Sequence, residues 1–255
     1  MSQSPYTSPE THPDLNYAVG DLRRTMLRVA ANLRWYEQSW LGMPIWQLAD
    51  DIVALQRIVF DAQPRWIVET GTKFGGSALF FASLLSMMGR TEESGGGVIT
   101  VDVYETAEAR NLLLENPHRF ASLVRQRLVG DAKSPAIVAA IRATIAADAG
   151  PVMVFLDDWH DGDHVYAELL AYSNLVTPNG ILIVADTTFA DLVDTPIVLS
   201  SDKYANAQYS NPRIALKKFL GERSDFVAVP DYTRTGISNF PDSVLRKVTP
   251  HSGSL

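Results

Sequence analysis

Apolar positions recur at two different periods along the chain. Leu22, Met26, Val29, Leu33 and Tyr36 keep helical spacing, which predicts a helix over 22–36. A short aromatic stretch runs from Trp40 to Trp46. Ile52, Leu55, Ile58 and Val59 then predict a second helix that ends before Pro64. Beyond residue 64 the pattern changes to compact apolar runs separated by helical stretches. The runs at 65–69 (RWIVE), 98–103 (VITVDV), 124–129, 152–156 (VMVFL), 181–184 (ILIV), 226–229 and 244–248 read as strands. Helices are predicted over 76–88, 136–147, 164–175 and 214–220. Ser134 is the N-cap and Pro135 the first residue of the second of these, and Pro178-Asn179-Gly180 closes the third.

Near-continuous Val/Ile/Leu runs belong to strands buried on both faces. Their alternation with helices predicts an α/β fold: a doubly wound, mostly parallel sheet with an N-terminal helical extension. The organisation expected is an arm over 1–16, helices over 17–63 and one ligand-binding domain over 64–255. Pro5, Pro9 and Pro13 and the polar residues around them leave the arm little to pack. The stretch 188–210 has no clear period and follows a strand end; it reads equally as a lid or a surface loop.

Composition narrows the chemistry. The chain has 255 residues, 46% of them hydrophobic, so it can bury a core. The absence of cysteine removes disulfides, thiolate zinc sites, iron–sulfur clusters and thiol catalysis together, and it fits a cytoplasmic location. A net charge of −7 argues against nucleic acid as partner, since phosphate neutralisation needs a basic face. There is no run of eighteen apolar residues, so no transmembrane helix is expected.

In an open parallel sheet, ligands bind beyond the carboxyl ends of the strands. This chain puts an acid at five of those ends: Glu69, Asp102, Asp131, the pair Asp157-Asp158, and Asp186. One such acid is commonly a cap or turn residue. Five in register repel one another in one crevice and call for cationic ligands. The first turn, Glu69-Thr70-Gly71-Thr72-Lys73-Phe74-Gly75-Gly76-Ser77, opens a helix through glycines but matches neither GxxxxGK[ST] nor GxGxxG. Glu69 there opposes a pyrophosphate and suits an amino group, while Asp102 suits a ribose diol. The pair favours a nucleoside joined to a cationic amino acid, the form of S-adenosylmethionine.

The second cluster runs from Asp157 through Asp158, Trp159 and His160 to His164, with Asp186 on the next strand. Oxygen donors from adjacent strand ends suit a hard cation such as Mg²⁺. His160 is either a general base or a hydrogen-bonding turn residue, and His164 either joins it or faces solvent. Trp35, Tyr36, Trp40, Trp46, Trp159, Tyr204 and Tyr209 either stack on sugar rings or pack into the core.

These residues resemble a known family. Trp40-x-Gly42-x-Pro44, Val68-Glu69-Thr70-Gly71, Gly75-Gly76-Ser77 and Val101-Asp102 carry the resemblance. So do Gly130-Asp131, Leu156-Asp157-x-x-His160, His164-Val165, Asp186-Thr187 and Phe240-Pro241. As a set they resemble the S-adenosylmethionine-dependent cephalosporin hydroxylases and rhamnosyl O-methyltransferases. The resemblance implies a Rossmann-like class I methyltransferase sheet and O-methylation of a sugar or glycoside, with oligomers formed through the N-terminal helices. It implies S-adenosylmethionine bound by Glu69, Thr70, Gly71, Gly75, Ser77, Asp102, Asp131 and Asp157. It implies a magnesium-type ion on Asp157 and Asp186, and His160 as base. The family's fifth strand usually ends Glu-Asp-Thr; here Ala185 replaces the Glu, and Asp158 or water is expected in its place. A hydroxylase-type oxidation and a cofactor-binding protein without catalysis are the competing expectations.

Overall fold

The computed structural model describes residues 35–114, 118–199, 202–233 and 237–249, with a few positions between 21 and 29. The arm expected over 1–16 and most of the helix expected over 22–36 lie outside the described residues. A two-stranded hairpin, β1 (Ser39–Trp40) and β2 (Met43–Pro44), leads into α1 (Ala49–Ala62). Alternation follows: β3 (Trp66–Thr70), α2 (Gly76–Met87), β4 (Gly97–Asp102), α3 (Ala107–Leu114), β5 (Val124–Val129), α4 (Pro135–Ala147), β6 (Val152–Leu156), α5 (Gly162–Tyr172) and β7 (Ile181–Val184). The chain ends with the single turn α6 (Pro196–Leu199), α7 (Pro212–Glu222), β8 (Phe226–Ala228) and β9 (Val244–Lys247).

The seven strands β3 to β9 form one sheet in the order β5-β4-β3-β6-β7-β9-β8. All pairings are parallel except those of β9, which runs against β7 and β8. After β3 the chain builds outward through β4 and β5, then crosses back to β6 on the other side. Order therefore reverses between β3 and β6, and that is where an open sheet forms its crevice. Every residue of β3, β6 and β7 is buried. Their apolar side chains feed two layers, one holding Ile67, Phe81 and Phe155, the other Val68, Val154 and Leu169.

The strands lie within a residue or two of the expected positions. The helix expected over 164–175 instead runs from Gly162 to Tyr172, because the Asp161 carboxylate caps it by accepting from the amides of Asp163 and His164. Pro178-Asn179-Gly180 does not close that helix. Asn179, in the left-handed region, turns the chain into β7, and its amide donates to the Lys247 carbonyl. Ser134 caps α4 as expected, accepting from the Ile137 amide. α3 and the hairpin were not expected from periodicity. The hairpin carbonyl of Pro44 lies where a Cβ on Gly76 would stand, 2.1 Å away, so only glycine lets it sit on the start of α2. α1 buries Leu55, Ile58 and Val59 in the same core layer as α2, so this part of the extension shares the domain's core.

Candidate functional site

One cavity of about 670 Å³ opens over the switch point. Such a volume is in the range of a cofactor or small-molecule site. Residues from the β3 turn, the ends of β4, β6 and β7, the hairpin side and the segment after β7 line it together.

At the first end, the turn after β3 is built by close approach. Gly71 has φ +89°, and a Cβ there would stand 2.0 Å from the Asp157 carbonyl oxygen. Its amide donates to Val101, which draws the turn against β4. Gly71 and Ser77 line the cavity, as does Asp102, whose Oδ2 accepts from the Lys73 amide at 2.8 Å. Glu69, Thr70 and Gly75 lie behind the wall. Glu69 is fully buried, and its Oε2 accepts from the Thr100 hydroxyl, which also meets the Thr72 hydroxyl. Burial pushes the Glu69 carboxyl up to about 7, against the pull of the Ser77 and Thr100 hydroxyls. Its Oε1 has no hydrogen-bond partner. Asp131 lines the cavity too, held below the usual carboxylate range by Lys133, whose ammonium and amide both donate to it.

At the second end, Asp157, Asp158, His160, His164 and Asp186 all line the cavity. Asp157 extends β6, and its Oδ2 accepts from Gln47 Nε2 at 2.7 Å. Burial pushes its carboxyl well above the ordinary range, with Asp186 and Glu69 adding like-charge repulsion. Asp186 is held in the left-handed region at φ 55°, a conformation Asp tolerates better than most residues. Thr187 and Thr188 anchor it by donating to the carbonyls of Pro241 and Asn239. His160 Nδ1 lies 3.0 Å from Asp186 Oδ2, and its ring stacks on Phe189 at 4.9 Å.

Asp158 turns away from this pair. Its Oδ2 lies 3.1 Å from His164 Nε2. Burial alone would raise the Asp158 carboxyl, but the His164 bond and charge outweigh it and hold it low. Asp157, Asp158 and Asp186 therefore do not gather as one donor set. Among the described residues, the donors that gather are those of Asp158, His164 and Glu168. Ala185 is buried at the end of β7 and brings no donor.

The segment 188–210 contains short helical turns and packs a small core of Leu192, Val198 and Ala207. It covers the second end with Phe189, Leu192, Lys203 and Tyr204. Trp46, Trp159 and Tyr204 face the cavity, while Trp40 packs edge-on against Phe80 and donates to Ser83. Tyr36 and Tyr209 do not line it. Gln47, Lys133 and Lys203 escaped sequence reasoning. Gln47 stands 110 residues from the acid it holds, and nothing local marks it. Glu168 had a signal, the helical i,i+4 spacing from His164.

Residues 32–248 match the family described as Rhamnosyl O-methyltransferase/CmcI. The rhamnosyl O-methyltransferase of Mycobacterium tuberculosis (strain H37Rv) is 28% identical over 156 residues, 61% of this chain and 59% of that protein. The rhamnosyl O-methyltransferase of Mycobacterium leprae is 28% identical over 162 residues, 61% of this chain and 63% of that protein. The chain thus spans about 59% of the length of the first curated relatives it matches. Among solved structures, CmcI with magnesium and S-adenosylmethionine has a TM-score of 0.60 at 19% identity, over 85% of this chain and 78% of that one. An O-methyltransferase from Bacillus cereus with S-adenosylhomocysteine has a TM-score of 0.52 at 19% identity, over 91% of each chain. Both likenesses concern the fold: a mostly parallel, Rossmann-like class I sheet. With the family match covering most of its length, the chain belongs to the Rhamnosyl O-methyltransferase/CmcI family.

Proposed function

We propose that the protein is an S-adenosylmethionine-dependent O-methyltransferase acting on a hydroxyl of a sugar or glycoside, with a divalent ion at the second end of the cavity. The observation that carries this reading is the single cavity joining the two ends. A methyl donor on the Gly71–Asp102 side and an acceptor on the Asp157–Asp186 side would share one enclosed space. The curated relatives are named for rhamnosyl O-methylation, and aromatic faces at Trp46, Trp159 and Tyr204 suit a sugar ring.

The residues fit both groups. The Gly71 turn lines the cavity, Asp102 offers a carboxylate to a diol, and the acidic rim suits a sulfonium. Asp157 and Asp186 are hard oxygen donors, and the repulsion between them is what a divalent ion relieves. Bound there, S-adenosylmethionine supplies the methyl group and the ion supplies Lewis acidity toward the acceptor hydroxyl. Gln47 holds the Asp157 carboxylate in place. Asp186 accepts from His160 Nδ1, which leaves Nε2 as the basic nitrogen. His160 Nε2 then takes the acceptor's proton, and stacking on Phe189 fixes the ring plane. The segment 188–210 keeps water from the reacting hydroxyl.

The test is direct. Purified protein with Mg²⁺ and methyl-labelled S-adenosylmethionine should label members of a panel of rhamnosides and other glycosides. Tight binding of S-adenosylhomocysteine with no transfer to any member would sink the methyltransferase reading.

A further inference from the structure

Behind the second end, α5 and the turn before it carry a group that the proposed reaction does not use. Asp158, His164 and Glu168 bring one donor atom each within 4.8 Å of one another. His164 Nε2 lies 3.1 Å from Asp158 Oδ2 and 3.8 Å from Glu168 Oε2. The i,i+4 spacing puts His164 and Glu168 on one helix face. Asp158 and His164 line the cavity, whereas Glu168 is fully buried.

Glu168 is the anomaly. Neither of its oxygens has a hydrogen-bond partner. A carboxylate enclosed without donors must either take a proton or meet a cation. The Thr70 hydroxyl pulls the Glu168 carboxyl down against burial, and two further nearby donors are engaged elsewhere. The Tyr172 hydroxyl, one turn on, donates to the Ala132 carbonyl. Lys133 donates to Asp131 at 2.8 Å and approaches the far nitrogen of His164, Nδ1, at 3.4 Å.

The geometry points to a binding site for a divalent first-row transition ion, held by Asp158, His164 and Glu168 and separate from the Asp157–Asp186 pair. One imidazole nitrogen with two carboxylate oxygens suits Zn²⁺, Mn²⁺ or Co²⁺ better than Mg²⁺, which keeps to oxygen. Metal–donor bonds of about 2.0–2.2 Å place neighbouring donors roughly 3–3.5 Å apart. The observed separations need only small movements. Three protein donors leave a position open on the cavity side, which Asp158 and His164 line. Ligation requires a neutral His164 with Nε2 free and the proton on Nδ1. Nδ1–H then faces Lys133, which must turn toward Asp131. The Lys133 charge thus opposes the ion.

Co²⁺ is the probe, titrated by calorimetry and visible absorption into the chelator-treated full chain. The expected result is one Co²⁺ per chain that survives a large excess of Mg²⁺. Asp186→Asn should keep it. Glu168→Gln, which preserves shape, and His164→Ala should each weaken it at least about tenfold. Lys133→Met should tighten it, a change that a purely structural Glu168 would not produce. This variant also decides the matter should the Glu168 substitution fail to fold. No Co²⁺ uptake by the parent protein overturns the proposal and leaves Glu168 as a neutral buried acid sharing a proton with Asp158. Loss of Co²⁺ in Asp186→Asn, with Lys133→Met indifferent, overturns it equally and returns the ion to the other pair.

Discussion

The two edges of the sheet use the same residue type in opposite ways. At the amino edge, Asp148 sits between Arg65 and Gly96. Arg65 Nε donates to its Oδ1 at 2.9 Å, and the Gly96 amide donates to its Oδ2 at 2.6 Å. The Arg65 hydrogen bond holds the Asp148 carboxyl below its ordinary range. Trp66 closes the corner by donating to the Asp148 carbonyl. At the carboxyl edge, Asp157 has one side-chain amide donor and three acidic neighbours, and burial with their charge drives its carboxyl up. One edge satisfies its charge; the other leaves it unsatisfied inside a cavity. Unsatisfied charge that lines a cavity is a mark of a ligand site, and here it falls at the carboxyl edge, where the proposed function needs it.

The largest expected effect is at that edge. His160→Ala removes the basic nitrogen, so turnover should fall by roughly 10²–10⁴-fold. S-adenosylhomocysteine affinity, measured by calorimetry, should stay within about twofold, since the proposed mechanism puts His160 on the acceptor side. Asp186→Asn comes next. It removes one of the two proposed hard donors, and Mg²⁺ should bind at least about tenfold more weakly. An unchanged Mg²⁺ response in that variant would sink the ligand assignment.

Much of this contrast was legible in the sequence. β3, β6 and β7 carry uninterrupted apolar runs, and burial on both faces is what such runs require. The acids at strand ends follow from register, because parallel strands end at one edge. Side-chain direction was not legible. Asp157 and Asp158 are adjacent, yet one faces Gln47 and the other His164. That choice depends on Gln47, 110 residues away, and on where α5 carries His164, which strand periodicity does not show. Glu69 looked like a cofactor contact and stands behind the wall instead, tied to Thr100 across the β3–β4 pair. The cover 188–210 lacked a period because its short turns pack around single residues such as Leu192 rather than along a helix face.

Two smaller effects separate the edges by pH. A carboxyl raised in the folded state holds its proton longer than in the unfolded chain, so stability falls as pH rises between the two values. For Glu69, ordinarily near 4.5 and raised to about 7, the loss over that window is about 3 kcal/mol. Urea midpoints should therefore drop from pH 4.5 to 7, and Glu69→Gln should flatten part of that slope. Asp148 has the opposite sign. Its carboxyl is lowered, so its contribution is full above the ordinary value of 3.8 and disappears as pH falls through the folded value. Asp148→Asn should melt slightly below the parent protein at pH 7, and the two should converge in acid. Turnover in this variant should match the parent, because Arg65, Gly96 and Trp66 meet Asp148 at the edge away from the cavity. A gap in melting temperature that persists at low pH would show that Asp148 acts through packing rather than charge, and the electrostatic contrast between the edges would lose one of its sides.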